Sequence, residues 1–115
     1  MFEYHAKLDR VVDGDTVDAM VDLGFSVWKK VRIRLNGINA PESRTRDLEE
    51  KKKGLAAKAR LQELLKENGN VFRLYSHGVG KFGRCLGTIY TSHSLPVNRI
   101  LIEEGHGVEY HGGKR

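Results

Sequence analysis

Two runs of alternating hydrophobicity, joined by a short turn, constrain this fold more than any other feature. From Thr16 to Leu23, every second position is apolar: Val17, Ala19, Val21 and Leu23. From Ser26 to Leu35 the pattern resumes with Val27, Val31, Ile33 and Leu35, Lys29 being the exception. A side-chain period of two places each set on one face of a strand, so both sets are predicted to point inward. The other face of the second run then carries Trp28, Lys30, Arg32 and Arg34. Leu23-Gly24-Phe25 supplies a hairpin turn between the runs.

The rest of the chain fits around that hairpin. An earlier strand is predicted over Tyr4 to Val12. The polar stretch 43–53 reads either as a mobile loop or as a weak helix start, with Asp47 and Glu50 spaced as a capping pair. A firmer helix is predicted from about Gly54 to about Asn68. There Ala57, Leu61, Leu64 and Leu65 form one apolar stripe, and Asn68-Gly69 is the stop. Val71 to Tyr75 and Arg84 to Thr91 read as strands on either side of a glycine-rich connection, 77–83. Pro96 to Glu104 suits a short helix ended by Gly105. The glycine-rich tail from Gly105 onward carries no clear element. Three strands, a helix, two strands and a helix make a mainly β chain with helices (α+β). A small antiparallel barrel with a helix over one end is the expected architecture, formed by a single domain over residues 1–115.

Composition bears on partners and compartment. Twenty Lys and Arg against fifteen Asp and Glu give a net charge of +5. That balance favours an anionic partner, nucleic acid before a membrane surface. The lone Cys85 excludes an internal disulfide and lies in an apolar run, where a buried, inert thiol is expected. The N-terminal residues lack a signal-peptide core and no apolar run reaches membrane-spanning length, so a cytoplasmic protein is expected.

Several motifs carry less than their patterns promise. Gly78-Val79-Gly80-Lys81-Phe82-Gly83 matches a dinucleotide-binding fingerprint, but that fingerprint must open a helix, and RCLGTIY after it reads as a strand. His106 and His111 lack the spacing of a zinc-binding pair. Lys51-Lys52-Lys53 reads as a solvated face that could steer an anion.

One constellation is more informative. Asp13-Gly14-Asp15-Thr16 places two carboxylates at the mouth of a strand. A hairpin turn alone accounts for it, because Asp side chains bond to nearby backbone. In company with other residues a second reading opens. Arg34 is followed by Asn39, Ala40 and Glu42 in the segment GINAPES, and Lys81-Phe82-Gly83-Arg84 adds a cationic pair at a turn. If the barrel brings these loops together, one pocket holds oxygen ligands, a carboxylate and two guanidinium groups. Such a set suits phosphodiester hydrolysis. Carboxylate, carboxamide and carbonyl oxygens suit a hard cation, and the planar arginine fork matches phosphate.

The motifs DGDTV, RIRLNGINAPES, KFGR and VNRILIEEG, in this order and with the helix between the second and third, resemble the staphylococcal nuclease family over almost the whole chain. The resemblance implies a five-stranded oligonucleotide-binding barrel. It implies calcium-dependent cleavage of DNA and RNA at the phosphorus–5′-oxygen bond, leaving 3′-phosphate ends. It implies single-stranded DNA or RNA as substrate, and the expected form is a monomer. By motif position, Asp15, Asn39 and the Ala40 carbonyl would be Ca2+ ligands and Glu42 the general base. Arg34 and Arg84 would bind the scissile phosphate, Lys81 would lie near nucleotide phosphates and Tyr110 would pack on the substrate. Two departures stand out. Asn39 occupies a position where the family motif has aspartate, which removes one ligand charge and opens an alternative: a barrel that binds nucleic acid without cleaving it. The third helix of the staphylococcal enzyme also has no counterpart among these residues.

Overall fold

The computed structural model describes residues 2–79 and 83–110. Its elements are β1 (Phe2–Asp13), β2 (Thr16–Asp22), β3 (Trp28–Leu35), β4 (Ile38–Asn39), α1 (Leu48–Lys66), β5 (Val71–Val79), β6 (Cys85–Tyr90), α2 (Val97–Glu103) and β7 (Val108–Glu109). Five strands close into a barrel in the order β1-β2-β3-β6-β5, and β4 and β7 pair separately. This is the five-stranded α+β architecture that the resemblance implies. The barrel is mixed, however, not antiparallel: β3 and β6 run parallel through Ile33–Cys85, Arg34–Leu86 and Leu35–Gly87. That pairing closes the barrel, and residues 36–84 between the two strands give it the long crossover that parallel strands require.

The alternation in β2 and β3 translates into burial. Val17, Ala19, Val21, Ile33 and Leu35 are buried in one core with Leu61, Leu64 and Leu65 of α1, Phe72 and Leu74 of β5 and Ile89 of β6. Two inward predictions fail: Leu23 and Val27 are 45% and 51% exposed. They belong to the hairpin end, beyond the reach of the barrel interior, where Phe25 (φ 53°) and Ser26 (φ 62°) take left-handed backbone angles. Cys85 is half-buried, its Sγ 3.5 Å from Ser76 Oγ.

Helix α1 starts at Leu48, six residues before the sequence-based boundary at Gly54. Asp47 caps it, Oδ1 accepting from the backbone N–H groups of Glu49 (3.1 Å) and Glu50 (3.3 Å). The cap divides segment 43–53: residues 48–53 are the helix start, and 43–47 lie before it as a loop. Strand β5 continues past Tyr75 to Val79, consuming part of the expected glycine-rich connection. The segment after Gly83 is strand β6, so the GxGxxG match opens no helix. Asn98 fastens α2 to the barrel. Its Nδ2 donates to the Asn36 and Gly87 carbonyls (2.8 and 3.0 Å) and its Oδ1 accepts from Ile89 N–H (3.0 Å).

Candidate active site

The turn Gly14-Asp15 joins β1 to β2, and the segment after β3 returns beside it. Leu35 N–H donates to the Asp15 carbonyl (2.8 Å), tying the end of β3 to this turn. Helix α1 packs beneath. A Cβ on Gly14 would stand 2.6 Å from Ala57 Cβ, and one on Gly54 would stand 2.3 Å from the Glu42 carbonyl oxygen. Both contacts are closer than real Cβ atoms tolerate, so these glycines set how near the helix comes to the two loops.

The result is a pocket of about 290 Å³ lined by Asp13, Asp15, Thr16, Arg34, Asn39, Ala40, Glu42, Arg84 and Tyr110. Every site residue proposed from the sequence is present except Lys81, which lies outside the described residues. Asp15 is buried: Oδ1 accepts from Thr16 Oγ1 (2.9 Å) and Oδ2 from Ala40 N–H (2.9 Å). Arg34 is held by the backbone around it. Its Nη1 donates to the Leu35 and Ile38 carbonyls (2.9 and 2.8 Å). Its Nη2 lies 3.5 Å from Asp15 Oδ2 and 3.4 Å from Asn39 Oδ1. One guanidinium nitrogen therefore stands between the Asp15 carboxylate and the Asn39 carboxamide, bringing both oxygens to the same wall of the pocket. Glu42 is exposed at the mouth, while Ser43 is buried, its Oγ donating to Asp13 Oδ1.

Sequence reasoning missed the device that positions Tyr110. The short pair β4–β7 matches Ile38 with Glu109 and Asn39 with Val108. Tyr110 N–H then donates to the Gly37 carbonyl (2.9 Å), and its ring sits 6.0 Å from the Arg34 guanidinium carbon. An ion pair from Arg99 of α2 to Glu109 (2.5 Å) holds the same pair from outside. Asp13 and Thr16 also line the pocket and were absent from the proposed site. Their signal was membership of the Asp13-Gly14-Asp15-Thr16 run itself.

A second cluster lies along the outer face of the barrel. The register sets Arg10, Asp18 and Arg32 side by side on β1, β2 and β3. Asp18 Oδ1 accepts from Arg32 Nε (2.8 Å) and Oδ2 from Arg32 Nη2 and Arg10 Nε (both 3.1 Å). The bond from Arg32 outweighs burial, which acts the other way, and with Arg10 it holds the Asp18 carboxyl at about 2.

The donor chemistry of the pocket is compatible with a hard cation. Its lining residues carry carboxylate and carboxamide oxygens and no sulfur or imidazole. The set is low in charge, since Asn39 contributes none, and no group of three His, Cys, Asp or Glu converges among the described residues.

The family model for staphylococcal nuclease homologues matches residues 32–114, and the chain belongs to that family. Among individual relatives, it is 28% identical over 116 residues to a micrococcal nuclease of Shigella flexneri, covering 94% of this chain and 59% of that protein. It is 29% identical over 120 residues to protein ParB of Escherichia coli, covering 94% of this chain and 58% of the relative. A third match, 29% over 114 residues, is to endonuclease YhcR of Bacillus subtilis (strain 168), covering 94% of this chain and 9% of that protein. The chain thus spans less than two thirds of these relatives. Asp15 precedes the span matched by the family model, and its contacts with Ala40, Arg34 and Leu35 join it to the matched part of the site.

Proposed function

We propose that this chain is a metal-dependent nuclease that hydrolyses the phosphorus–5′-oxygen bond of DNA and RNA, releasing 3′-phosphate and 5′-hydroxyl ends. The observation that carries the proposal is the convergence of Asp15, Arg34, Asn39, Ala40, Glu42 and Arg84 on one pocket. The nuclease names of the relatives from Shigella flexneri and Bacillus subtilis support it.

The Asp15 carboxylate, the Asn39 side-chain oxygen and the Ala40 carbonyl would hold Ca2+. When bound, the ion supplies positive charge to a phosphate oxygen and the growing charge on phosphorus. The protein's own groups do the rest. Arg34 is held by the Nη1 bonds to two backbone carbonyls, and its Nη2 stands beside Asp15 and Asn39 at the pocket wall. With Arg84, which lines the same pocket, it cradles the scissile phosphate. Glu42, at the solvent-facing mouth, orients a water and takes its proton as the water oxygen bonds to phosphorus. The 5′-oxygen leaves and is protonated from solvent. None of these roles uses a ribose 2′-hydroxyl, so the chemistry extends to DNA and RNA alike.

End-group analysis tests the proposal. Incubation of denatured DNA with Ca2+ is expected to yield fragments that a polymerase extends only after 3′-phosphatase treatment. Fragments with free 3′-hydroxyl ends, or equal cleavage in EDTA, would contradict it.

A further inference from the structure

Resting on the nuclease reading, we propose that the outer face of β3 is a track for single-stranded nucleic acid, running from the phosphate site at Arg34 to a base-stacking platform at Trp28. Arg34, Arg32, Lys30 and Trp28 share that face by alternation. Successive members are about 6.6 Å apart along the strand, so Arg34 and Trp28 are separated by about 20 Å. That repeat is close to the phosphate spacing of a stretched single strand.

Each cation on the track is steadied by a carboxylate. Asp15 lies beside Arg34 (3.5 Å), Asp18 beneath Arg32 (2.8 Å) and Asp9 beside Lys30 (3.1 Å). The vertical order at the centre favours an anionic ligand. Asp18 is buried, with its side chain 7% exposed, whereas Arg10 and Arg32 above it are 58% and 45% exposed. The carboxylate orients the guanidinium groups from below and leaves cationic surface facing solvent. On this face Lys7, Arg10, Lys30, Arg32 and Arg34 stand against Asp9, Asp15, Asp18 and Asp22, an excess of one cation.

At that end the surface changes character. Trp28 is 40% exposed, with Lys7 Nζ 4.9 Å from its ring centre. It borders a cleft of about 380 Å³ shared with His5, Arg73 and Tyr90, and the Arg73 guanidinium lies 5.5 Å from the Tyr90 ring. Aromatic rings beside cations suit an unpaired base with its phosphate. A duplex keeps its bases stacked on one another and offers no face to such a ring, so the platform selects single strands.

Trp28 is the chain's single tryptophan, and its fluorescence reports the platform directly. The experiment is a titration in EDTA, which prevents turnover, with thymidine dinucleotide and with an oligothymidylate of about eight nucleotides, within the usual site size of such barrels. The longer strand is expected to quench Trp28 saturably and to bind at least tenfold more tightly than the dinucleotide. In Lys30→Ala/Arg32→Met, with its fold checked by circular dichroism, affinity should fall. The slope of log affinity against log salt should flatten by about 0.7 for each phosphate that the variant no longer neutralises. Absence of quenching, or unchanged affinity in the double variant, would overturn the track even if the protein cleaves DNA. Length-dependent quenching without cleavage by the metal-loaded protein would leave the track standing and remove the nuclease reading.

Discussion

At the scale of single residues, Arg34 and Glu42 should separate cleanly. Arg34 donates to two backbone carbonyls and approaches Asp15, so Arg34→Lys keeps a charge but loses the fork. We expect a loss of about 10²-fold or more in cleavage rate and about 1–2 kcal/mol in stability, read by kinetics and urea unfolding. Glu42 is exposed, so Glu42→Gln should cost a comparable or larger factor in rate and change stability by less than about 0.5 kcal/mol. An Arg34→Lys variant as stable as wild type would mean that Arg34 has no structural role. Most of the pocket lining was legible in the sequence, because DGDT, GINAPES and Arg84 carry the polar residues that the fold brings together. Asp18 was not legible, because a polar residue on the outer face of a strand is ordinary. Only the register that sets it between Arg10 and Arg32 gives it meaning.

At the scale of elements, the approach of α1 to the loops decides whether the site assembles. Gly54 lies inside the helix, where Ala would normally be favoured by about 1 kcal/mol. A Cβ there would meet the Glu42 carbonyl at 2.3 Å. Gly54→Ala should therefore destabilise the fold by on the order of 2 kcal/mol and displace Glu42. A raised melting temperature would contradict that packing. The Arg10–Asp18–Arg32 row makes a separate prediction about acid. Asp18 has a native value of about 2, below its ordinary 3.8. Its contribution is thus complete above the ordinary value and is lost as pH falls toward 2. Urea unfolding of wild type and Asp18→Asn should show a stability gap at neutral pH that narrows over that window. A gap independent of pH would refute the assignment. Elements with their own periodicity, β2, β3 and α1, were readable from the chain. β4 and β7 were not, since two residues carry no period. The parallel neighbour of β3 was hidden as well, because alternation reveals a strand's faces and not its partners.

At the scale of the whole molecule, a closed barrel gathers residues from β1, β3, β4 and the loop before β6 into one pocket, while α1 and α2 brace it from below. Loops far apart in sequence therefore meet at a fixed geometry, and one amide in place of a carboxylate has a readable consequence. Asn39 reaches the same wall as Asp15 but adds no charge, so Ca2+ should be held weakly. The most direct test is cleavage of heat-denatured DNA across a Ca2+ titration with an EDTA control, comparing wild type with Asn39→Asp. Cleavage that EDTA abolishes, with roughly a tenfold lower Ca2+ requirement in Asn39→Asp, is the predicted result. Folded protein that binds DNA but cleaves it in neither form, at any Ca2+ concentration, would contradict the account.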